Sequence, residues 1–210
     1  MIQLWRRSNL TGFRHLTTFK TAFLLWLLSY PVKAQQPQFD AFLPDFRRLY
    51  TMYHMGPKLP STDVDRIALR IWTGSGHNWE FASTTACQGI CESHYTLSGN
   101  KHLKYRGHIG MHLNTIFAEG VRIGVIKKNH QDLLWLLRVC KKDPSYADFL
   151  SASRLVFLTG HFGSMRIAIF QYVTGHGYKT KKKDFNRALD YWMTVQRLRE
   201  DYFGVPLTGK

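Results

Sequence analysis

The order of apolar patterns along the sequence predicts an α/β domain, in which helices pack on a small mixed sheet. Helical spacing of apolar residues covers 62–72 and the segment after Asp184, and a short apolar run at 154–159 has the composition of a buried strand. Helix, strand, helix, helix and strand in this order are typical of α/β architecture. The 210 residues suit one domain of ordinary size.

The composition indicates a folded, basic protein. Hydrophobic residues make up 44 % of the chain, and the net charge of +15 implies an anionic partner such as a nucleic acid, a phosphorylated substrate or an acidic lipid surface. Residues 1–34 contain five basic residues and no acid, which leaves +10 on the remainder. Three cysteines without the spacing of a disulfide framework favour a reducing compartment.

Residues 1–34 form a basic and apolar segment, which we expect to be a signal or a membrane anchor. The run TAFLLWLLSY at 21–30 follows four basic residues and is shorter than the about 20 apolar residues of a membrane span. A cleaved signal, an uncleaved anchor and an interfacial helix all fit this pattern. We favour the two membrane-attached interpretations over cleavage.

The body begins with a linker and a short helix at 35–61, interrupted by Pro44 and ended by GPKLPS. Thr62 can cap the first strongly periodic helix, whose predicted core face holds Val64, Ile67, Ala68, Ile71 and Trp72. Residues 73–115 are rich in Gly, Ser, Thr and His and predict no element. We expect residues 62–210 to form the main domain.

Five elements follow in the second half of the chain. They are a leucine-rich helix from 130, a short helix at 143–150, a buried strand at 154–159, a helix at 163–174, and a last helix capped by Asp184 or Asn186 and ended by Gly204. His161 then lies where a strand ends and a helix begins, the place in α/β folds where side chains reach a ligand crevice. A histidine there can act as a general base, although an isolated histidine is more often a capping or core residue.

The residues around His161 carry a resemblance to a known family. Gly160, His161, Phe162 and Gly163, followed about forty residues later by Arg199 and Gly204-Val205, resemble the bacterial lipid A biosynthesis acyltransferases of the lysophospholipid acyltransferase superfamily. The resemblance covers about the last third of the chain.

This resemblance implies acyl transfer with His161 as the catalytic base. The base would activate a hydroxyl of a glycolipid acceptor of the lipid A type, which attacks the thioester of an acyl carrier protein or acyl-CoA donor, with no metal or organic cofactor. The substrate-binding residues it suggests are Gly163, Ser164, Arg166 and Arg199. We add Lys181 and Lys182, because the basic cluster at 179–183 could hold phosphates near an active site, although such a run is usually a solvated turn. It also implies a membrane-associated protein at the bacterial inner membrane, with the body on the cytoplasmic side.

Two departures from the family pattern bear on activity. Arg166 occupies the place of the acid that orients the histidine, and a cation cannot accept the ring N–H. The family continues well beyond the Gly-Val segment, whereas this sequence reaches only Lys210. We therefore expect an incomplete acyltransferase-like domain with weak or no activity.

Other histidines form weaker patterns. His77 and Glu80 would share a face if they lay on one helix, and Cys87, Cys91 and His94 have the residue types of a soft metal site without a standard spacing. His108 and His112 lack the glutamate of a metalloprotease. We interpret the cysteines and the His108–His112 pair as structural and predict no metal site.

Two further hypotheses remain open. One is a non-catalytic basic protein that binds anionic lipid or nucleic acid. The sequence shows no helix-turn-helix, zinc-finger or RNA-binding-sheet signature, which argues against nucleic acid. The other is a remnant without function, which would fold poorly on its own.

Overall fold

The computed structural model describes residues 36–95 and 105–205, and this part of the chain is mostly helical. The predicted signal or anchor at 1–34 lies outside the described residues. The helices described below belong almost entirely to one compact unit, Pro37–Lys210. The α/β prediction is therefore wrong, because the described body is a bundle of helices.

Eight α-helices are present in the described ranges. They are α1 (Gln36–Tyr53), α2 (Ser61–Gly74), α3 (Trp79–Ser93), α4 (Leu113–Arg122), α5 (His130–Lys142), α6 (Ser145–Phe162), α7 (Met165–Thr174) and α8 (Lys182–Phe203). A 3-10 turn at Gly175–Lys179 precedes α8. Two-residue strands β1 (Tyr105–Arg106) and β2 (Met111–His112) pair antiparallel, with Tyr105 opposite His112.

The predicted strand at 154–159 lies inside α6. A short apolar run alone does not separate a buried strand from a buried helix, and here it continues a helix that starts at Ser145. The predicted short helix at 143–150 and the predicted strand are thus parts of one helix, in which residues 151–153 are also buried. A helix that is apolar on most sides belongs in a core, and α6 packs against α2, α3, α4, α5 and α7.

A glycine permits the close approach of α2 and α6. A Cβ atom on Gly74 would collide with the backbone carbonyl of Phe149 and would lie 3.0 Å from the Cβ of Ala152. Because no side chain stands between the two backbones, the helices touch there. This contact helps to explain how α6 becomes the central helix of the body.

Aromatic side chains from distant segments build much of the core. The Phe42 ring lies 5.4 Å from Trp72 and 5.5 Å from Phe203, and the Phe46 ring lies 5.4 Å from Tyr95. Phe42 and Phe46 come from α1, whose helix continues through Pro44. The segment expected to be a linker with a short helix thus contributes fully buried rings to the main core.

Several sequence expectations for the helices are confirmed. The residues at positions 64, 67, 68, 71 and 72 of α2 are buried as predicted. The leucine-rich helix from 130 is α5, and the predicted helix at 163–174 corresponds to α7. The last helix begins at Lys182 rather than at Asp184 or Asn186, and Gly204 ends it in the left-handed conformation with φ of 60°.

Among residues 36–95 and 105–205, none of the helices is long and apolar enough to cross a membrane.

Candidate functional site

His161 lies in the last turn of α6, exposed to solvent. Its ring stacks nearly parallel to Phe157 at a centroid distance of 6.0 Å and meets Phe162 edge-on at 4.7 Å. Within the described part of the chain, the ring makes no hydrogen bond or ion pair with an acid. The strand end that suggested a catalytic base is replaced by the end of a helix.

The segment after His161 connects two helices. Gly163 ends α6 with a φ of 67°, a left-handed conformation that glycine adopts without strain. The Ser164 hydroxyl then accepts a hydrogen bond from the Ile167 N–H at 3.4 Å and caps α7. The Arg166 guanidinium lies 5.4 Å from the centre of the Phe170 ring. These contacts give Gly163 and Ser164 a structural role at the junction.

Arg199 is buried in the core rather than placed at a substrate surface. Its guanidinium donates to the Ser83 hydroxyl at 3.4 Å and to the Gln196 carbonyl oxygen at 3.1 Å, and it lies 3.6 Å from the Glu80 carboxylate. Burial lowers the pKa of Arg199, although the nearby Glu80 opposes this shift. The arrangement joins α3 to α8, and the Arg199 side chain has no exposed surface.

Lys181 and Lys182 lie exposed at the start of α8. Neither side chain makes a hydrogen bond or ion pair with another described residue. They add positive charge to the surface, but the contacts of the described residues do not connect them to His161.

The other histidine patterns also lie outside a catalytic arrangement. His77 precedes α3 with a φ of 59°, so that Asn78 caps the helix and Glu80 points to Arg199. Burial lowers the pKa of His77. His108 pairs with Asp148, and both side chains are buried. No cluster suited to a metal ion occurs in the described ranges.

A shallow groove of about 550 Å³ runs along α8, next to Tyr53 and the end of α3. Its apolar floor includes Cys91 and Leu198, and burial raises the pKa of the Cys91 thiol to about 12. Two arginines and two aspartates from α8 line the groove: Arg187, Asp190, Arg197 and Asp201. Because these charges cancel, the groove does not attract an anion.

The solvent face of α5 differs from the groove because its positive charges have no acid among them. Leu134, Arg138 and Lys141 follow at i, i+4 and i+7, and Trp135 and Lys142 flank them on the same side of the helix. Leu134 is 40 % exposed, and the three cations are exposed. The only acid in α5 is Asp132, which is buried on the opposite side. We call Leu134, Trp135, Arg138, Lys141 and Lys142 the α5 basic face.

Two more exposed lysines lie in the turn before α5. Lys127 and Lys128 are exposed, and the Lys127 backbone N–H donates to the Asp132 carboxylate at 2.7 Å. The Asn129 side chain caps α5 by accepting from the Asp132 N–H at 2.8 Å. The Asp132 carboxylate thus accepts a hydrogen bond from the backbone of the turn, and the two lysine side chains remain at the surface.

A hollow of about 520 Å³ lies among the side chains of Trp135, Val139 and the three cations of the α5 basic face. From the sequence we predicted this helix but not its basic surface. The signal was present, because the spacing that buries Leu136 and Cys140 also places Arg138 and Lys141 on the opposite side.

The chain matches no family model, and no curated protein or solved structure is significantly similar to it. The resemblance to acyltransferases therefore stays a prediction.

Proposed function

We propose that this protein binds an anionic membrane surface through the α5 basic face. The observation that carries the proposal is the solvent side of α5, which combines three exposed cations with the exposed Leu134 and the half-buried Trp135 and has no acid among them. This combination suits a layer of negatively charged headgroups, which attracts the cations and admits the edge of an indole ring.

The charges nearest this face support attraction to anions. Lys127 and Lys128 bring the number of exposed cations to five. Of the two nearest acids, Asp132 is buried and Asp143 forms an ion pair with Arg70 at 3.2 Å. Each Lys or Arg near an acidic bilayer contributes about 1 kcal/mol to the free energy of binding. The five cations together therefore contribute up to about 5 kcal/mol at low salt.

Trp135 and Leu134 favour a bilayer over a nucleic acid. Tryptophan is enriched at membrane interfaces because its ring is apolar and its N–H is polar. An exposed leucine beside it adds apolar surface that a polyphosphate backbone does not use. The predicted segment at 1–34 would add a second attachment, and weak signals commonly act in pairs.

Vesicle binding by the full chain tests this function. We expect binding to vesicles of phosphatidylcholine mixed with phosphatidylserine, and weaker binding to phosphatidylcholine alone. The triple variant Arg138→Gln, Lys141→Gln, Lys142→Gln should bind about 100-fold more weakly, from about 1 kcal/mol for each lost charge.

The matched control replaces Lys181, Lys182 and Lys183 with glutamine, which removes the same charge from the exposed start of α8. This control should bind nearly as well as the wild type. Equal weakening of both triple variants would show attraction by total charge alone and would contradict the assignment to α5. Tighter binding to duplex DNA than to the mixed vesicles would contradict the membrane proposal itself.

Acyl transfer by His161 remains a separate prediction. Membranes containing the protein would be assayed for transfer from an acyl carrier protein to a lipid A precursor, and wild type compared with His161→Ala. Transfer that depends on His161 would establish the enzyme. No transfer in either would leave the binding function as the better account.

A further inference from the structure

A buried carboxylate organises two arginines beneath the exposed part of α6. The Glu119 side chain has no exposed surface, and it accepts two hydrogen bonds from the Arg122 guanidinium, one of them of 2.9 Å from Nε. Arg122 Nη2 also donates to the Ser153 hydroxyl at 2.8 Å. These bonds hold Arg122 in one orientation while a third of its side chain stays in solvent.

Arg154 is held less tightly. Its Nη1 lies 4.0 Å from Glu119, and 28 % of the side chain is exposed. Its guanidinium makes no hydrogen bond to any residue within the described ranges. The guanidinium lies 5.2 Å from the centre of the Phe157 ring, and that of Arg122 lies 4.8 Å from the same ring.

His161 completes the group. Arg154, Phe157 and His161 are spaced at i, i+3 and i+7 on α6 and therefore form one stripe, with the imidazole stacked on Phe157. Phe157 is 37 % exposed, although its ring contacts three polar groups. We call Arg122, Arg154, Phe157 and His161 the Phe157 cluster.

The charges of the Phe157 cluster do not cancel. The guanidiniums of Arg122 and Arg154 both lie near the single carboxylate of Glu119. The cluster and Glu119 together therefore have a net charge of +1 when His161 is neutral and +2 when its ring is protonated. The unbonded N–H groups of Arg154 and the ring of His161 are donors at the surface. A phosphate monoester offers about two negative charges and three acceptor oxygens.

We propose that the Phe157 cluster binds a phosphate monoester. Arg154 and His161 donate to its terminal oxygens, Arg122 adds a fixed positive charge, and the edge of Phe157 contacts the organic part of the ligand. The phosphate can belong to a soluble metabolite or to a lipid headgroup. The site involves no residue of the α5 basic face and does not rest on membrane binding.

The test is calorimetric titration of the full chain with glycerol 3-phosphate, inorganic phosphate and acetate, and binding to vesicles in which phosphatidic acid replaces an equal charge of phosphatidylserine. We expect saturable binding of a phosphate monoester, in solution or as phosphatidic acid, and none of acetate. Arg154→Gln and His161→Asn should each weaken it by about 10-fold, the value of one charged hydrogen bond. The soluble and vesicle arms show which source supplies the phosphate.

Arg166→Gln is the matched control, because it removes an exposed arginine that also lies over an aromatic ring. It should bind like the wild type. Equal loss in Arg166→Gln and Arg154→Gln would overturn the site, as would the absence of saturable binding in both arms. Thermal unfolding of each variant checks its fold, and a variant that melts early is replaced by Arg154→Lys, which should also bind more weakly because it lacks the planar fork.

Discussion

The Asp148 carboxylate holds the turn at His108 by three hydrogen bonds. The carboxylate accepts hydrogen bonds from the backbone N–H groups of His108 at 2.7 Å and Ile109 at 3.0 Å. The third hydrogen bond joins it to His108 Nδ1 at 2.6 Å. Gly107 has a φ of 77°, and a Cβ there would lie 2.7 Å from the same carboxylate. One side chain of α6 therefore fixes the turn between β1 and β2.

This pair predicts a pH dependence of stability. Burial favours the neutral ring, but the charge and hydrogen bond of Asp148 outweigh it and raise the pKa of His108 above 6.5. The stabilisation is therefore complete below the unfolded pKa of about 6.5 and is lost as pH rises through the higher folded value. The difference in unfolding free energy between wild type and His108→Asn should be larger near pH 6 than near pH 9.

Urea unfolding at a series of pH values measures this difference. His112→Asn is the control, because it changes a histidine outside the pair with Asp148. The Nδ1 atom of His112 accepts a hydrogen bond from the Asn114 backbone N–H at the start of α4. A difference between wild type and His108→Asn that stays constant with pH would contradict the raised pKa.

Gly74 and Gly160 should respond oppositely to alanine. Gly74→Ala places a methyl group against the backbone of α6, so we expect a loss of roughly 1–3 kcal/mol by overpacking. Gly160→Ala puts the same methyl group into open space near the end of α6 and should stabilise the protein by up to about 1 kcal/mol. Thermal unfolding of the two variants compares them. A stable Gly74→Ala variant would contradict the close contact of α2 and α6.

The three cysteines should resist thiol reagents in the folded protein. Cys87 and Cys140 are buried, and burial together with Glu92 raises the pKa of Cys91 to about 12. Since the thiolate is the reacting form, a disulfide reagent near pH 8 should label them only on unfolding. A thiol of the native protein that reacts as fast as free glutathione would contradict this packing.

The sequence revealed the helices better than the contacts between them. α2 was predictable because apolar residues repeat along one face, whereas RLVFLT lacks a polar side that would separate helix from strand. His108 and Asp148 are 40 residues apart and meet only through the packing of α6 against the hairpin. The α5 basic face could have been found from helical spacing, but its exposure required the bundle.

The position of Trp135 in the membrane-bound protein tests the central claim most directly. We would measure quenching of tryptophan fluorescence by lipids brominated in the acyl chain, using vesicles with phosphatidylserine, in wild type and Trp135→Phe. The account predicts quenching in the wild type that is clearly reduced in Trp135→Phe, while both proteins bind the vesicles. Equal quenching in the two proteins would place Trp135 away from the bilayer and contradict binding through α5.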